Sequence, residues 1–258
     1  MLNNSQIEQF HNDGFLLIPS VLKEEQVREL RTSLIKLFNS KIKFEGDNNN
    51  VRNDICNRYQ EFRWLLIHQS IVSALKSLLG TNFVYLPEIA AQKSFYSTWH
   101  KDTTSQEAQG LQFQWEPNYL MLEAAIYLQD NDEYGGGLDV IPGSHLYPDL
   151  STNSTAHDFW SKITPPPYIH SIPSKAGDLV LFDFRINHKA SLPTKCAVDS
   201  IPDSKQKFAI FIACSTNNEH VLSYKKFIYS RPTYYYLKDY QYQEDFFKLV
   251  KDNGLILA

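Results

Sequence analysis

Trp99-His100-Lys101-Asp102 is the sharpest chemical feature of this 258-residue chain. On a β-strand, residues i and i+2 point to the same face. His100 and Asp102 can therefore offer an imidazole and a carboxylate to one point while Lys101 faces away. That is two thirds of the two-histidine, one-carboxylate facial triad that holds non-haem Fe(II) and leaves positions open for substrate or oxygen. A His-x-Asp triplet also arises by chance, and His11-Asn12-Asp13 is a second one. It falls at the end of an expected helix, where i and i+2 do not face each other, and reads as surface or capping.

Two later segments supply context. Tyr134-Gly-Gly-Gly-Leu-Asp-Val-Ile-Pro-Gly-Ser-His145 gathers four of the ten glycines into a turn, a short strand and a second turn closed by Pro142-Gly143. Ala176-Gly-Asp-Leu-Val-Leu-Phe-Asp-Phe-Arg-Ile-Asn-His188 reads as a strand with a histidine at its end. Taken in order with Asp13-Gly14-Phe15 and Trp-His-x-Asp, these segments resemble the phytanoyl-CoA dioxygenase-like family of Fe(II)/2-oxoglutarate oxygenases, from about Phe10 to Cys214. The resemblance implies an α+β, mainly β fold. Its core would be a double-stranded β-helix (a jelly-roll, cupin-like barrel) with the metal inside its mouth, ligated by His100, Asp102 and His188. His145 belongs to the Pro-Gly-Ser-His turn and is expected to brace that turn.

The same resemblance implies Fe(II), 2-oxoglutarate as co-substrate, and O2. Members usually meet the distal carboxylate of 2-oxoglutarate with an arginine shortly after the second histidine, because the guanidinium fork binds a carboxylate bidentately. This chain departs from that pattern: no Arg lies between His188 and Lys207. Lys207 occupies the corresponding place, with Lys205, Lys93 and Arg231 as alternatives. Thr103, Gln92 and Ser191 are further candidates to contact the oxo-acid, and Tyr96 and Trp115 to wall a substrate pocket. No catalytic residue is expected beyond the metal ligands. The retained Asp102 favours hydroxylation over halogenation. The implied activity is hydroxylation of an unactivated C–H bond of a small metabolite, with release of succinate and CO2. A non-catalytic ligand-binding barrel (a sensor) and a cupin-like metalloenzyme that uses no 2-oxoglutarate stay open as alternatives.

These residues need elements to hold them. A capping box at Ser5-x-x-Glu8 would open a short helix ending at Gly14. Phe15–Ile18 reads as a strand. Val27, Leu30, Leu34 and Leu37 recur at spacings of three and four, which predicts an amphipathic helix from about Lys23 to Phe38, and a further helix is expected over Ile71–Leu79. From there the texture turns to strands: Phe83–Leu86, Lys93–His100, Leu120–Gln129, Leu138–Ile141, Asp178–Phe184 and Lys207–Ser215, rich in Val, Ile, Tyr and Phe and bounded by turn formers. Lys238–Val250 is the last expected helix. One domain over 1–258 follows, with a helical brace at 1–82, a barrel core at 83–215 carrying an insert at 147–174, and an extension at 216–258. The insert and the tyrosines at 234–242 are candidate lid and specificity elements.

Composition narrows the partners. Hydrophobic residues are 43%, which suits a core-forming domain, and the net charge of −4 argues against affinity built on phosphate neutralisation. No apolar run reaches the ~18 residues of a membrane span, and the opening residues lack the pattern of a signal peptide. Three cysteines without a Cys-x-x-Cys pair read as thiols of a reducing compartment. The expectation is a cytoplasmic monomer or homodimer acting on a small molecule, with neither nucleic acid nor membrane as partner.

Overall fold

The computed structural model describes residues 1–103, 119–147, 168–231, 234, 237 and 241–258. Trp115, most of the 147–174 insert, and Tyr235, Tyr236 and Tyr240 lie outside the described residues.

The helical brace forms where its apolar stripes lie. Helix α1 (Asn4–Asp13) is followed by strand β1 (Phe15–Ile18) and helix α2 (Glu24–Asn39), whose Val27, Leu30, Leu34 and Leu37 are buried. The capping box of α1 is built by Asn3 and Gln6, not by Ser5 and Glu8. Asn3 Oδ1 accepts from the Gln6 amide at 2.9 Å, and the Asn3 amide donates to Gln6 Oε1 at 3.0 Å. Asn3 has the extended backbone a cap requires, which leaves Ser5 inside the first turn. A short strand β2 (Val51–Asn53), the single-turn helix α3 (Ile55–Arg58), a 3-10 stretch (Gln60–Ile67) and helix α4 (Gln69–Leu79) complete the brace. Ion pairing of Asp47 with Arg52 and Arg58 fixes the turn before β2.

The strands are β3 (Val84–Lys93), β4 (Met121–Tyr127), β5 (Leu138–Ile141), β6 (His170–Ser171), β7 (Leu179–Asp183), β8 (Asn187–Ala190), β9 (Phe208–Ser215) and β10 (Ile256–Leu257). The larger sheet runs β1-β7-β4-β9-β3-β10, with β2 added on β3; the smaller runs β6-β5-β8. Alternation along β4 shows how the layers pack. Leu122, Ala124 and Ile126 meet the helices in the main core, whereas Ala125 and Tyr127 meet Leu138 and Val140 of the smaller sheet. Two facing sheets with a helical layer on one outer face give the expected jelly-roll, α+β architecture.

Three expected strands differ from what forms. Phe83–Leu86 continues through a register irregularity between Tyr85 and Ile89 into the single strand β3. Lys93–His100 is not a strand: Ser94 takes φ +46°, and the chain leaves the larger sheet there. Likewise, the strand after Gly177 stops at Asp183. A turn intervenes, and His188 sits on β8 in the other sheet. The C-terminal extension contributes α5 (His220–Ser230), missed in the sequence reading, and α6 (Glu244–Asp252), whose Phe246 and Val250 join the main core. Cys56, Cys196 and Cys214 are free thiols.

Candidate metal centre and its cavity

His100 reaches the site by backbone pairing, not as part of a long strand. It forms an isolated antiparallel bridge with His188: the His100 amide donates to the His188 carbonyl at 2.9 Å, and the His188 amide returns the bond at 2.9 Å. Their rings lie 4.3 Å apart between centroids. Asp102 follows in a turn held by its amide, which donates to the Phe184 carbonyl at 2.9 Å. The pair singled out by the i, i+2 spacing does converge, but a bridge and a turn, not a strand, bring the side chains together. Asp102 Oδ1 lies 3.6 Å from His100 Nε2 and 3.9 Å from His188 Nε2, and one ligand atom from each of the three residues falls within 4.8 Å of the others.

The donor set fits a divalent metal. Nδ1 of His100 lies 2.7 Å from the Thr98 carbonyl and Nδ1 of His188 lies 3.0 Å from the Ile186 carbonyl. A carbonyl only accepts, so each Nδ1 carries the proton and each Nε2 lone pair faces the common point. Burial, with His100 and Lys207 nearby, holds the His188 imidazole well below its usual range and therefore neutral. Asp102 Oδ2 is buried with no hydrogen-bond partner among the described residues, as expected of an oxygen reserved for a cation.

The glycine-rich segment and its closing turn act as the frame of this site. Lys101 does face away: its ammonium donates to the carbonyls of Ser144 at 2.9 Å and Tyr147 at 2.6 Å. Ser144 Oγ accepts from the Asn187 amide at 2.8 Å. One turn thus grips the neighbours of two of the three ligands. His145 braces it from behind, with Nε2 2.9 Å from the His11 carbonyl, and it is absent from the ligand cluster. Gly14, at φ +81°, passes so close that a Cβ would stand 2.4 Å from His145 Nδ1.

The three ligands open onto a cavity of about 640 Å³. Of the sequence candidates, Lys207, Gln92, Tyr96 and Arg231 line it. Lys207 is buried just before β9; its ammonium donates to the Phe95 carbonyl at 3.0 Å and faces the rings of Tyr96 and Tyr127 at 5.5 and 5.8 Å. Burial pulls its pKa down to about 8. The Tyr96 hydroxyl is buried without a partner among the described residues. Gln92 pairs in register with Ala209.

Ser191, Thr103 and Lys205 stand elsewhere. Ser191 is turned away: its hydroxyl donates to Asp139 Oδ1 at 2.6 Å, and its carbonyl accepts from the Gly136 amide at 3.0 Å. Alternation past His188 and Ala190 explains this, and Ser191 fixes the glycine turn. Thr103 is buried off the cavity wall. Lys205 is exposed and paired with Asp132 at 2.9 Å. Arg231 lines the cavity but is engaged by Glu88 at 3.3 Å.

Glu88, Glu123 and Tyr224 also line the cavity and were missed, and Tyr234, from the tyrosine segment expected to form a lid, lines it with them. A lone carboxylate inside an apolar strand, as in Met121-Leu-Glu-Ala-Ala-Ile-Tyr127, was the available signal, since buried charge needs a reason. Burial pushes both Glu carboxyls up, Glu123 well above the usual range with Asp102 and Glu88 adding to it.

Known proteins share sequence or fold with this chain. The ectoine dioxygenase of Streptomyces anulatus is 25% identical over 153 residues, 54% of this chain and 50% of that protein. The chain therefore spans about half the length of that relative. The ectoine dioxygenase of Bordetella bronchiseptica is 25% identical over 227 residues, covering 72% of this chain and 69% of its own. Among solved structures, HygX from Streptomyces hygroscopicus, with nickel and 2-oxoglutarate bound, superposes with a TM-score of 0.63 at 16% identity, covering 84% of this chain and 88% of that one. EctD from S. alaskensis, in its apoform, gives 0.66 at 16% identity, covering 83% and 77%. These structural likenesses establish the fold. Residues 10–192 match the phytanoyl-CoA dioxygenase (PhyH) family profile, and with the ordered motifs in place the chain belongs to that family.

Proposed function

We propose that this chain is a non-haem Fe(II)- and 2-oxoglutarate-dependent dioxygenase that hydroxylates a C–H bond of a small metabolite. The observation that carries the reading is the convergence of His100, Asp102 and His188 at the wall of a cavity that also holds a buried lysine. His100, Asp102 and His188 would hold Fe(II) on one face, leaving the cavity side open for O2 and 2-oxoglutarate. When loaded, such a centre couples oxidative decarboxylation of 2-oxoglutarate, giving succinate and CO2, to insertion of oxygen into the substrate C–H bond.

The chain's own residues do the rest. Lys207 would pair with the distal carboxylate of 2-oxoglutarate as a point charge, and Gln92 and Tyr96 supply hydrogen-bonding groups beside it. Apolar walls from Leu138, Phe182 and Phe211 keep water from the reacting bond. The net charge of −4 supports a small molecule over nucleic acid, and among the described residues no helix is long and apolar enough to cross a membrane. Brace, barrel and C-terminal extension work as one domain on this reading. Ectoine, named for several relatives, is one compound to try as substrate.

Anaerobic addition of Fe(II) and 2-oxoglutarate should produce the weak visible charge-transfer band of the chelate, and air should then release succinate. His100→Ala should abolish both the band and the metal-dependent rise in unfolding midpoint. A protein with no band and no succinate is not this enzyme, and a band without turnover identifies a ligand-binding barrel.

A further inference from the structure

The cavity has a second chemical end, built by residues that the metal centre and Lys207 do not use. Strands β3 and β4 present Glu88 and Glu123 to it, and α5 with the residue after it adds Tyr224 and Arg231. The two glutamates differ in one respect. Glu88 is satisfied: Arg231 lies 3.3 Å from Oε1, and the Tyr224 hydroxyl donates to Oε2. Glu123 is not, because its Oε2 is buried and has no hydrogen-bond partner among the described residues. A buried acceptor left unmade is costly and calls for a partner that arrives later.

Register fixes where that partner would lie. Glu123 stands opposite Phe182 on β7 and Ala213 on β9. The Phe182 ring is 4.8 Å from the His188 ring, centroid to centroid. The open carboxyl is therefore separated from a metal ligand by one aromatic ring, on the cavity wall where a substrate must sit. Lys207 belongs to the opposite end of the same face. Along β4 the order is Glu123, Ala125, Tyr127, and Tyr127 is the ring that Lys207 faces.

Charge points the same way. Besides the histidines, the carboxyl groups and cationic side chains on the wall among the described residues are Glu88, Asp102, Glu123, Lys101, Lys207 and Arg231. Lys101 gives its ammonium to the Ser144 and Tyr147 carbonyls and Arg231 is paired with Glu88, so neither cation is turned to Glu123. Fe(II) and doubly ionised 2-oxoglutarate cancel each other, and Glu123, whose carboxyl burial holds well above the usual range, would be drawn to its ionised form by an arriving cation. An anionic substrate would meet Glu88 and Glu123 with Arg231 already engaged.

We propose that Glu123 is a specificity-determining residue that recognises the substrate through a positively charged nitrogen, an ammonium, amidinium or guanidinium group, beside the bond that reacts. This deepens the dioxygenase reading and rests on it. Glu88, Tyr224 and Arg231 act as the rim that holds the neighbouring surface polar but neutral.

The test uses the anaerobic protein loaded with Fe(II) and 2-oxoglutarate. Calorimetric titration compares benzamidine with its neutral isostere benzamide, in wild type, Glu123→Gln and Glu123→Asp. Wild type should prefer benzamidine by about tenfold or more, the size of one charge-assisted hydrogen bond. The Gln variant should lose that preference and the Asp variant should keep part of it. Equal affinities, a preference for benzamide, no measurable benzamidine binding by wild type, or an unchanged preference in Glu123→Gln each overturn the proposal. Should the Gln variant not fold, the wild-type preference alone decides. The wild-type chelate band separates the two levels of failure: a band without cation preference sinks the Glu123 subsite alone, and no band sinks the dioxygenase reading.

Discussion

On the proposed reading Lys207 takes the place of a guanidinium fork, and that exchange has a pH signature. An arginine keeps its charge at any accessible pH, but burial sets the Lys207 pKa at about 8. Below that value the side chain is a cation and 2-oxoglutarate binding should be flat with pH. As pH rises through about 8 the free site loses its charge, and apparent affinity should fall. Lys207→Ala should weaken 2-oxoglutarate by tenfold to a hundredfold, the equivalent of about 1.5–3 kcal/mol for a charge-assisted bond, and should remove the pH dependence. Titration of the chelate band at several pH values measures both. If the band saturates identically in wild type and variant, another group anchors the carboxylate. At this scale the sequence was informative where chemistry is local: His100 and Asp102 are two residues apart, so their type and spacing announced them. Glu88 and Glu123 were hidden because their meaning depends on which way a strand faces, and Ser191 misled because proximity to His188 along the chain does not fix direction.

At the level of elements, the turn closed by Pro142 and Gly143 works as a clasp joining α1, the His100 segment and β8. Gly143 donates its amide to the Asp13 carbonyl at 2.9 Å, and the Gly14 carbonyl accepts from the Asp183 amide at 2.9 Å. Gly14→Ala should therefore destabilise the protein by about 1–3 kcal/mol, since φ is +81° and the new Cβ meets the His145 ring. Adding His145→Ala should recover the steric part and leave the backbone part, so the pair will not be additive in chemical denaturation. Additivity would mean that the two residues do not touch. The amphipathic helices and most strands were legible because period and burial coincide there. Lys93–His100 was not, because its composition is strand-like while Ser94 carries the chain from one sheet to the other, a crossing that no local pattern encodes. The α5 helix was missed although its buried Val221, Tyr224, Phe227 and Ile228 recur at spacings of three and four, because aromatic and β-branched residues of strand-like composition fill that short stretch.

For the whole molecule, the C-terminal extension behaves as part of the fold. Strand β10 pairs parallel with β3, matching Ile256 to Val84 and Leu257 to Tyr85. Phe246 and Val250 share a core with Phe62 and Leu66 of the brace, and Arg63 joins the two through Asp245 at 2.7 Å. Phe246→Ala should cost about 3–5 kcal/mol and move a single unfolding transition, seen alike by far-UV circular dichroism and tryptophan fluorescence. A separate early transition would show that the extension folds alone. The mutual amide bonds between His100 and His188 bear on a different property, the turnover of the metal itself. Because two ligands are stapled to each other by the main chain, emptying the centre need not scatter them. Release and reloading would then resemble exchange at a fixed socket, fast and reversible. Iron stripped by a chelator should be replaceable without a refolding lag, and amide hydrogen exchange at these two residues should stay slow in its absence.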